Sequence, residues 1–418
     1  MSRTKINLIL AYDRHYDRDW VPSLGLGYLS SYLKKNNDNI DVRILTDINQ
    51  IIKNEPDLVG ISCATQNINT AVNYAKQIKK HTLATVVLGG PHINALPLNL
   101  PICFDYGIIG EGEQTFLELV NFLQNKKKQN PTLIKGIVFF DKNQKLIFTG
   151  NRDFFQNLDC LPHPDRSQLN FDNSTVHMLT SRGCPNNCSF CGSRTLWKNP
   201  RYFSVDYIID EIESIISNYH PTIINFFDDI FFKNKKELRQ LCQKINNKKL
   251  NGKTAFTCYM RADIVDLEIM QILKKIGVQY IFFGAESGSN RVLAYLKNSR
   301  ASVEKNQYLL DLAKRLDIKV GATFIKGAPI ETKQDLLMTY DFIKKNIQSG
   351  KLDLWKIFYL APFPGTAMWY YAKKRGIVDE NMDFSYFSKP EKYLYLNENM
   401  SQKEFLSICH HQEKEIKR

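Results

Sequence analysis

Ser181-Arg182-Gly183-Cys184-Pro185-Asn186-Asn187-Cys188-Ser189-Phe190-Cys191-Gly192 sets three cysteines in C-x3-C-x2-C spacing directly behind an apolar run at 175–181. Further apolar runs follow at 222–227, 254–259, 279–284, 319–325 and 354–360, with a helical pattern between each pair. Ser204 is placed to cap a helix whose Ile208, Ile212, Ile215, Ile216 and Tyr219 share one face. Thr332 and Asp335 form a capping pair, and Gly277, Gly350 and Gly376 stand where a helix-ending glycine belongs. Strand and helix alternating six times predict a partial (β/α)6 barrel of TIM type over residues 173–376, with its chemistry at the C-terminal strand ends. The cysteines occupy the first of those ends.

Three thiolates on one loop can ligate three irons of a [4Fe–4S] cubane. No fourth cysteine is close in sequence, so one iron is left for a chelating ligand, such as the amino and carboxylate groups of S-adenosylmethionine. A structural zinc site competes with this reading. It would need four protein ligands, the fourth from a distant residue such as His177. The other six cysteines (Cys63, Cys103, Cys160, Cys242, Cys258 and Cys409) are isolated, which suits inert thiols and not a disulfide framework.

Each later strand ends in a segment of its own: Asn225-Phe226-Phe227-Asp228-Asp229, Tyr259-Met260-Arg261-Ala262-Asp263, Gly284-Ala285-Glu286-Ser287-Gly288, Gly327-Ala328-Pro329-Ile330-Glu331-Thr332 and Pro362-Phe363-Pro364-Gly365-Thr366. Singly these have plain explanations. Glycine and proline form turns, Asp228 could cap a helix, and Glu286 could bridge to Arg261. Together with the triplet they resemble the radical S-adenosylmethionine (radical SAM) superfamily. That resemblance implies a [4Fe–4S] cluster on Cys184, Cys188 and Cys191. It also implies S-adenosylmethionine contacts from Phe190, Asp228, Asp229, Arg261, Glu286, Ser287 and Gly327; core packing would explain Phe190 equally well.

Residues 1–125 alternate strands at 5–11, 41–45, 57–62, 85–88 and 105–109 with helices at 23–35, 66–80 and 113–124. This predicts an α/β, doubly wound, Rossmann-like domain. The dinucleotide fingerprint fails, because Gly25 and Gly27 stand well past strand one and Ser30 takes the third position. The segments Pro22–Leu29, Gly60–Thr65, Val87–His92 and Gly110–Glu113 instead resemble the cobalamin-binding domain often fused to radical SAM barrels. The resemblance implies cobalamin contacts from Leu24, Gly25, Ser62, Gly89, Gly90, Pro91, Gly110, Glu111 and Gly112. Small residues at strand ends let a flat macrocycle approach the backbone; ordinary tight turns are the plain alternative. The cobalt-ligating D-x-H-x-x-G motif is broken, since Asp13-Arg14-His15 runs on to Asp17 and Arg18, so His15 reads as a loop histidine.

Residues 126–172 read as a linker, with a hairpin turning at Asp141 to Gln144 and an extended, proline-containing connector. Residues 377–418 form a short C-terminal extension outside the stretch that carries the family resemblance and are left for substrate contacts; its helix is capped near Ser401. Of 418 residues 43% are hydrophobic and 24% charged, an ordinary globular balance. No apolar run spans a bilayer and the N-terminus lacks a signal-peptide pattern, so a cytoplasmic protein with no membrane partner is expected. The net charge of +13 is spread along the chain with no nucleic-acid module, so a nucleic-acid partner is not expected.

The resemblance implies a cobalamin-dependent radical SAM enzyme that methylates an unactivated carbon of a small molecule or natural-product precursor. It would need a reductant such as flavodoxin or ferredoxin. The same cofactors serve cyclisation, hydroxylation and dehydration, and a non-enzymatic cobalamin or redox sensor is the reading from another class. A methylthiotransferase acting on RNA fits less well, because no second cysteine set precedes Cys184.

Overall fold

The computed structural model describes residues 3–12, 23–125, 130–169, 174–232, 234–297, 300–387 and 393–417. The chain divides into two compact units: Met1–Phe171 with Phe363–Gly365 and Lys373–Lys392, and Asp172–Pro362 with Thr366–Ala372 and Tyr393–Arg418. Among the described residues no helix is long and apolar enough to cross a membrane.

The first unit runs β1 (Thr4–Leu10), α1 (Leu24–Asn36), β2 (Ile40–Ile44), α2 (Ile48–Asn54), β3 (Leu58–Ser62), α3 (Ile68–His81), β4 (Thr85–Gly89), α4 (Pro91–Ala95), β5 (Tyr106–Ile108), α5 (Gly112–Gln124), β6 (Ile137–Phe140) and β7 (Leu146–Phe148). Its sheet has the order β2-β1-β3-β4-β5-β6-β7, parallel as far as β5. The order steps outward on both sides of β1, as in doubly wound sheets. Ile6, Leu8, Val87 and Phe116 fill the core, as continuous apolar strands covered on both faces should. α2 and α4 were not expected; each is too short to show a helical period.

The hairpin turns where expected, with Asp141 N bonded to Lys145 O at 2.9 Å. It is more than a linker, because β6 pairs antiparallel with β5 and the hairpin extends the first sheet. Gly107 permits the approach: a Cβ there would stand 2.6 Å from Val138. The connector beyond it packs on α1, where a Cβ on Gly27 would meet Pro164 at 3.0 Å. Asp165 anchors that contact, accepting from Lys34 (2.7 Å), Ser30 (3.1 Å), Ser167 (2.6 Å) and Gln168 (2.7 Å). Burial would raise its carboxyl, but the donors prevail and hold it down at about 2. A carboxylate depressed in the fold adds stability that is complete above its unfolded value near 4 and is lost as pH falls toward 2. Asp165→Asn should therefore cost on the order of 1–2 kcal/mol at neutral pH, after solvent screening, and much less at pH 2, checked by urea unfolding at both.

The first part of the extension returns to this unit. Asp383 accepts from Asn69 Nδ2 at 2.8 Å, Asn99 donates to the Glu380 carbonyl, and Phe384 meets the buried His92 edge-on at 5.0 Å between ring centres.

The second unit runs β8 (Thr175–Met178), β9 (Ser181–Arg182), α6 (Ser193–Leu196), β10 (Arg201–Tyr202), α7 (Val205–Tyr219), β11 (Ile223–Phe226), α8 (Lys235–Asn247), β12 (Ala255–Met260), α9 (Leu267–Ile276), β13 (Val278–Glu286), α10 (Asn290–Lys297), α11 (Val303–Arg315), β14 (Lys319–Lys326), α12 (Lys333–Gln348), β15 (Leu354–Tyr359), α13 (Ala367–Lys374) and α14 (Gln402–Lys417). The last residues of α13 pass into the first unit. Six strands lie in the sequential order β15-β14-β13-β12-β11-β8, all parallel, which is the partial barrel expected. The caps also form where expected: Ser204 accepts from Tyr207 N, Thr332 and Asp335 make a capping box, Gly277 is left-handed, and Ser401 accepts from Glu404 N.

Outward-facing Ile224, Phe226, Phe256, Ile281, Val320 and Phe324 are buried. The inward register instead carries His177, Asn225, Thr257 and Tyr259. Asn225 joins three of these, meeting His177 Nδ1 at 3.0 Å and accepting from Thr257 Oγ1 at 2.9 Å. α14 docks through a buried lysine, Lys326, which pairs with Glu413 and lies 4.3 Å from the Tyr359 ring centre; Tyr340 also donates to Glu413, at 2.9 Å.

Candidate active site

The cysteine loop is closed at its base by β9 and β10, which pair antiparallel. Gly183 has φ +94°, and a Cβ on it would stand 2.8 Å from that of Trp197, so this position demands glycine. Ser189 ties the loop to the barrel, donating from its N to Leu296 O (2.8 Å) and accepting from Met368 N (3.1 Å). Asp228, expected at a ligand, is spent on the base of the loop. Its Oδ1 accepts from Thr180 N (2.8 Å), Ser181 N (2.7 Å) and Ser181 Oγ (2.9 Å), and its Oδ2 from Thr180 Oγ1 (2.9 Å). Burial pushes its carboxyl up to about 7, against these donors. Asp229, exposed, accepts from Ser193 Oγ at 2.6 Å.

Among the described residues each thiol sulfur has one donor: Asn186 Nδ2 to Cys184 (3.2 Å), Arg261 Nη1 to Cys188 (3.2 Å) and Ser193 N to Cys191 (3.5 Å). The surrounding protein raises the Cys188 thiol, opposed by Arg261 and Lys297. Cys191 is pushed up to about 11 by desolvation, with Asp229 and the other two thiols adding repulsion. Three mutually repelling sulfurs with hydrogen-bond donors already in place fit a cationic iron–sulfur core, which would remove the penalty on the thiolates. Among the described residues no three His, Cys, Asp or Glu side chains are gathered round one metal-ion position. A cubane spreads its ligands wider than a single ion does. His177, the distant residue a zinc site would have to recruit, is engaged with Asn225.

Arg261 does not bridge to Glu286. It forms a two-pronged pair with Asp263, both contacts at 2.9 Å, while its third nitrogen faces Cys188. Glu286 pairs with buried Lys297 at 3.4 Å, and Lys297 also donates to Gly284 O at 2.5 Å. Glu286 sits at φ +60°, beside a register shift between β13 and β14. Its side chain folds back so closely that a Cβ on Gly284 would lie 1.9 Å from Oε1. Burial raises the Glu286 carboxyl, opposed by Lys297 and Arg261.

Ser287 turns away from the mouth: its hydroxyl meets Thr339 at 3.0 Å and accepts from Ser289 N at 3.1 Å, pinning β13 to α12. Gly327, at φ +85°, donates its N–H to buried Glu331 at 2.6 Å. Phe190 is half-buried on the loop. Lys297, Asn186 and Thr339 were not foreseen. Asn186 lies inside the triplet and Lys297 eleven residues past Glu286, but no residue type at such a spacing signals the contact.

In the first unit, Ser62, Gly89, Gly90, Pro91, Gly110, Glu111 and Gly112 all fall at C-terminal strand ends, with Leu24 and Gly25 opening α1. No described atom lies within 4 Å of where a Cβ on Gly89 would be; on Gly25 and Gly112 the nearest is at 3.9 Å. Gly90, at φ +92°, could not carry a side chain, which would strike Ser62 Oγ at 2.7 Å. Glu111 is buried, accepting from Phe155 N at 2.9 Å, and Leu24 is buried too. An open, glycine-lined strand-end cradle fits a flat macrocycle such as cobalamin. His15 lies outside the described residues.

The Radical SAM superfamily model matches residues 178–343, and the B12 binding domain model matches residues 18–120. The chain is 31% identical over 374 residues to an uncharacterised methyltransferase of Pyrococcus horikoshii, covering 84% of this chain and 78% of that protein. It is 24% identical to the cytidylyl-2-hydroxyethylphosphonate methyltransferase of Streptomyces wedmorensis, covering 89% and 80%. Its fold is similar to that of the radical S-adenosylmethionine methyltransferase TsrM from Kitasatospora setae, solved with cobalamin and a [4Fe–4S] cluster: TM-score 0.71 at 17% identity, covering 90% of this chain and 75% of that one.

Proposed function

Because the chain belongs to the radical SAM superfamily and joins that domain to a B12-binding one, we propose that it is a cobalamin-dependent methyltransferase acting on an unactivated carbon of a small molecule or natural-product precursor. One observation carries the reading: a single chain holds a donor-braced cysteine triplet at a barrel mouth and an open glycine cradle in a B12-binding unit.

The cluster, S-adenosylmethionine and cobalamin are the cofactors of such an enzyme; bound, they supply an electron, a hydrogen-abstracting radical source and a transferable methyl group. Cys184, Cys188 and Cys191 hold the cluster. Arg261, fixed by Asp263, keeps its positive charge beside the Cys188 sulfur. Asp229, Glu286 and Gly327 line the place for S-adenosylmethionine, with Lys297 balancing Glu286 and Phe190 beside the adenine. Asp228 and Ser287 work indirectly, the first fixing the loop base and the second the end of β13. Leu24, Gly25, Ser62, Gly89, Gly90, Pro91, Gly110, Glu111 and Gly112 shape the cobalamin cradle. The protein works in the cytoplasm and draws electrons from a carrier such as flavodoxin or ferredoxin.

The test is anaerobic incubation of the cluster-loaded protein with hydroxocobalamin, a strong reductant and S-adenosylmethionine, followed by mass spectrometry. The proposal expects 5′-deoxyadenosine, S-adenosylhomocysteine and methylcobalamin together. If 5′-deoxyadenosine forms without the other two, the methyl-transfer reading falls and non-methylating radical chemistry replaces it.

A further inference from the structure

The cysteine loop has two unlike faces. Toward the barrel, Cys188 accepts from Arg261, which Asp263 holds, and feels the charges of the Glu286–Lys297 pair; Arg261, Glu286 and Lys297 are each about 95% buried. The segment that carries the loop is also basic in sequence. Residues 182–201 carry Arg182, Arg194, Lys198 and Arg201 and no Asp or Glu. Arg194 and Lys198 are exposed, and Arg194 lies on α6, which begins just after Cys191, the most open of the three cysteines. Arg182 and Arg201 flank Trp197, with guanidinium carbons 5.8 and 5.5 Å from its ring centre. Trp197 in turn backs Gly183, so the basic segment is braced against the cysteine loop itself. Exposed Arg300 extends the patch, donating to Asn186 Oδ1 at 3.2 Å; the same Asn186 bonds Cys184. Asp229 is an acidic neighbour of this segment, bonded to Ser193.

We propose that this basic face, centred on Arg194 and Lys198 with Trp197 behind them, is the docking surface for the electron donor, a one-electron carrier protein with an acidic face. The proposal rests on the radical SAM reading. One electron leaves the reduced carrier and enters the cluster; the carrier departs oxidised by one electron, and no atom or proton moves. Charge complementarity is the argument for this occupant. A chain of net charge +13 attracts an acidic carrier from a distance, and the segment 182–201, which carries four basic residues and no carboxylate of its own, orients it beside the cluster loop.

The test uses the full-length, cluster-loaded protein and flavodoxin. Affinity is measured by biolayer interferometry at low and high salt, and cluster reduction by stopped-flow bleaching with flavodoxin hydroquinone or with dithionite. Arg194→Glu/Lys198→Glu should weaken flavodoxin binding about ten-fold or more and flatten its salt dependence. Arg194→Gln/Lys198→Gln should do so less. Dithionite bleaching should be the same in every variant, since a small anion needs no docking face. Flavodoxin affinity and bleaching rate within two-fold of wild type would overturn the proposal, as would a short RNA binding this face in preference to flavodoxin. Failure of the wild-type cluster to bleach even with dithionite would instead overturn the radical SAM reading beneath it.

Discussion

Replacing Cys188 by Ala is expected to abolish 5′-deoxyadenosine formation and strip the brown cluster absorbance from anaerobically reconstituted protein. One of three thiolates is lost, and a cubane with two protein ligands is not retained. The variant also leaves Arg261 Nη1 without its sulfur, but the pair with Asp263 remains to hold the guanidinium. The fold should therefore survive, with circular dichroism matching the wild type. That separates loss of cluster from loss of structure. Retained 5′-deoxyadenosine production in Cys188→Ala would remove the assignment of the triplet.

The second large effect is expected at Asp228, and it is one of stability. Asp228→Ala deletes the acceptor for two backbone N–H groups and two hydroxyls in a site 4% exposed. Buried donors left unpaired cost about 1–3 kcal/mol each before relaxation, so about 3–5 kcal/mol in all is expected. For a unit of this size that lowers the melting temperature by roughly 10 °C. Asp228→Asn keeps Oδ1, which accepts three of the four bonds, so its loss should be less than half as large. Equal losses in the two variants would mean that charge, not hydrogen bonding, holds the base of the loop.

Much of this architecture is legible in the sequence because its strands are continuous apolar runs. Central strands such as β3, β4, β11 and β12 are buried from two sides, and such runs stand out without any period. The hairpin was legible as a hairpin, but not as part of the first sheet. Gly107, with no side chain, leaves room for Val138 opposite it, and pairing across a gap leaves no local mark. At the site, the triplet is legible because three ligands are adjacent in sequence. Asp228 and Ser287 are harder. Their residue types suit a ligand contact and a scaffold bond equally, and only the neighbours brought by the fold, Thr180 and Ser181 for one and Thr339 for the other, show the bonds they make. Lys297 is wholly hidden, since a lysine near a helix C-terminus is ordinarily a solvated one.

The return of residues 373–392 to the first unit bears on how the protein is made. Phe384, which covers His92, is synthesised almost three hundred residues later. On the ribosome the B12-binding unit therefore emerges early but waits uncovered while the whole barrel is translated. A fragment ending near residue 171 would leave the His92 ring open to water. The full unit becomes possible only after the barrel has been translated and residues such as Asp383 and Phe384 have followed it.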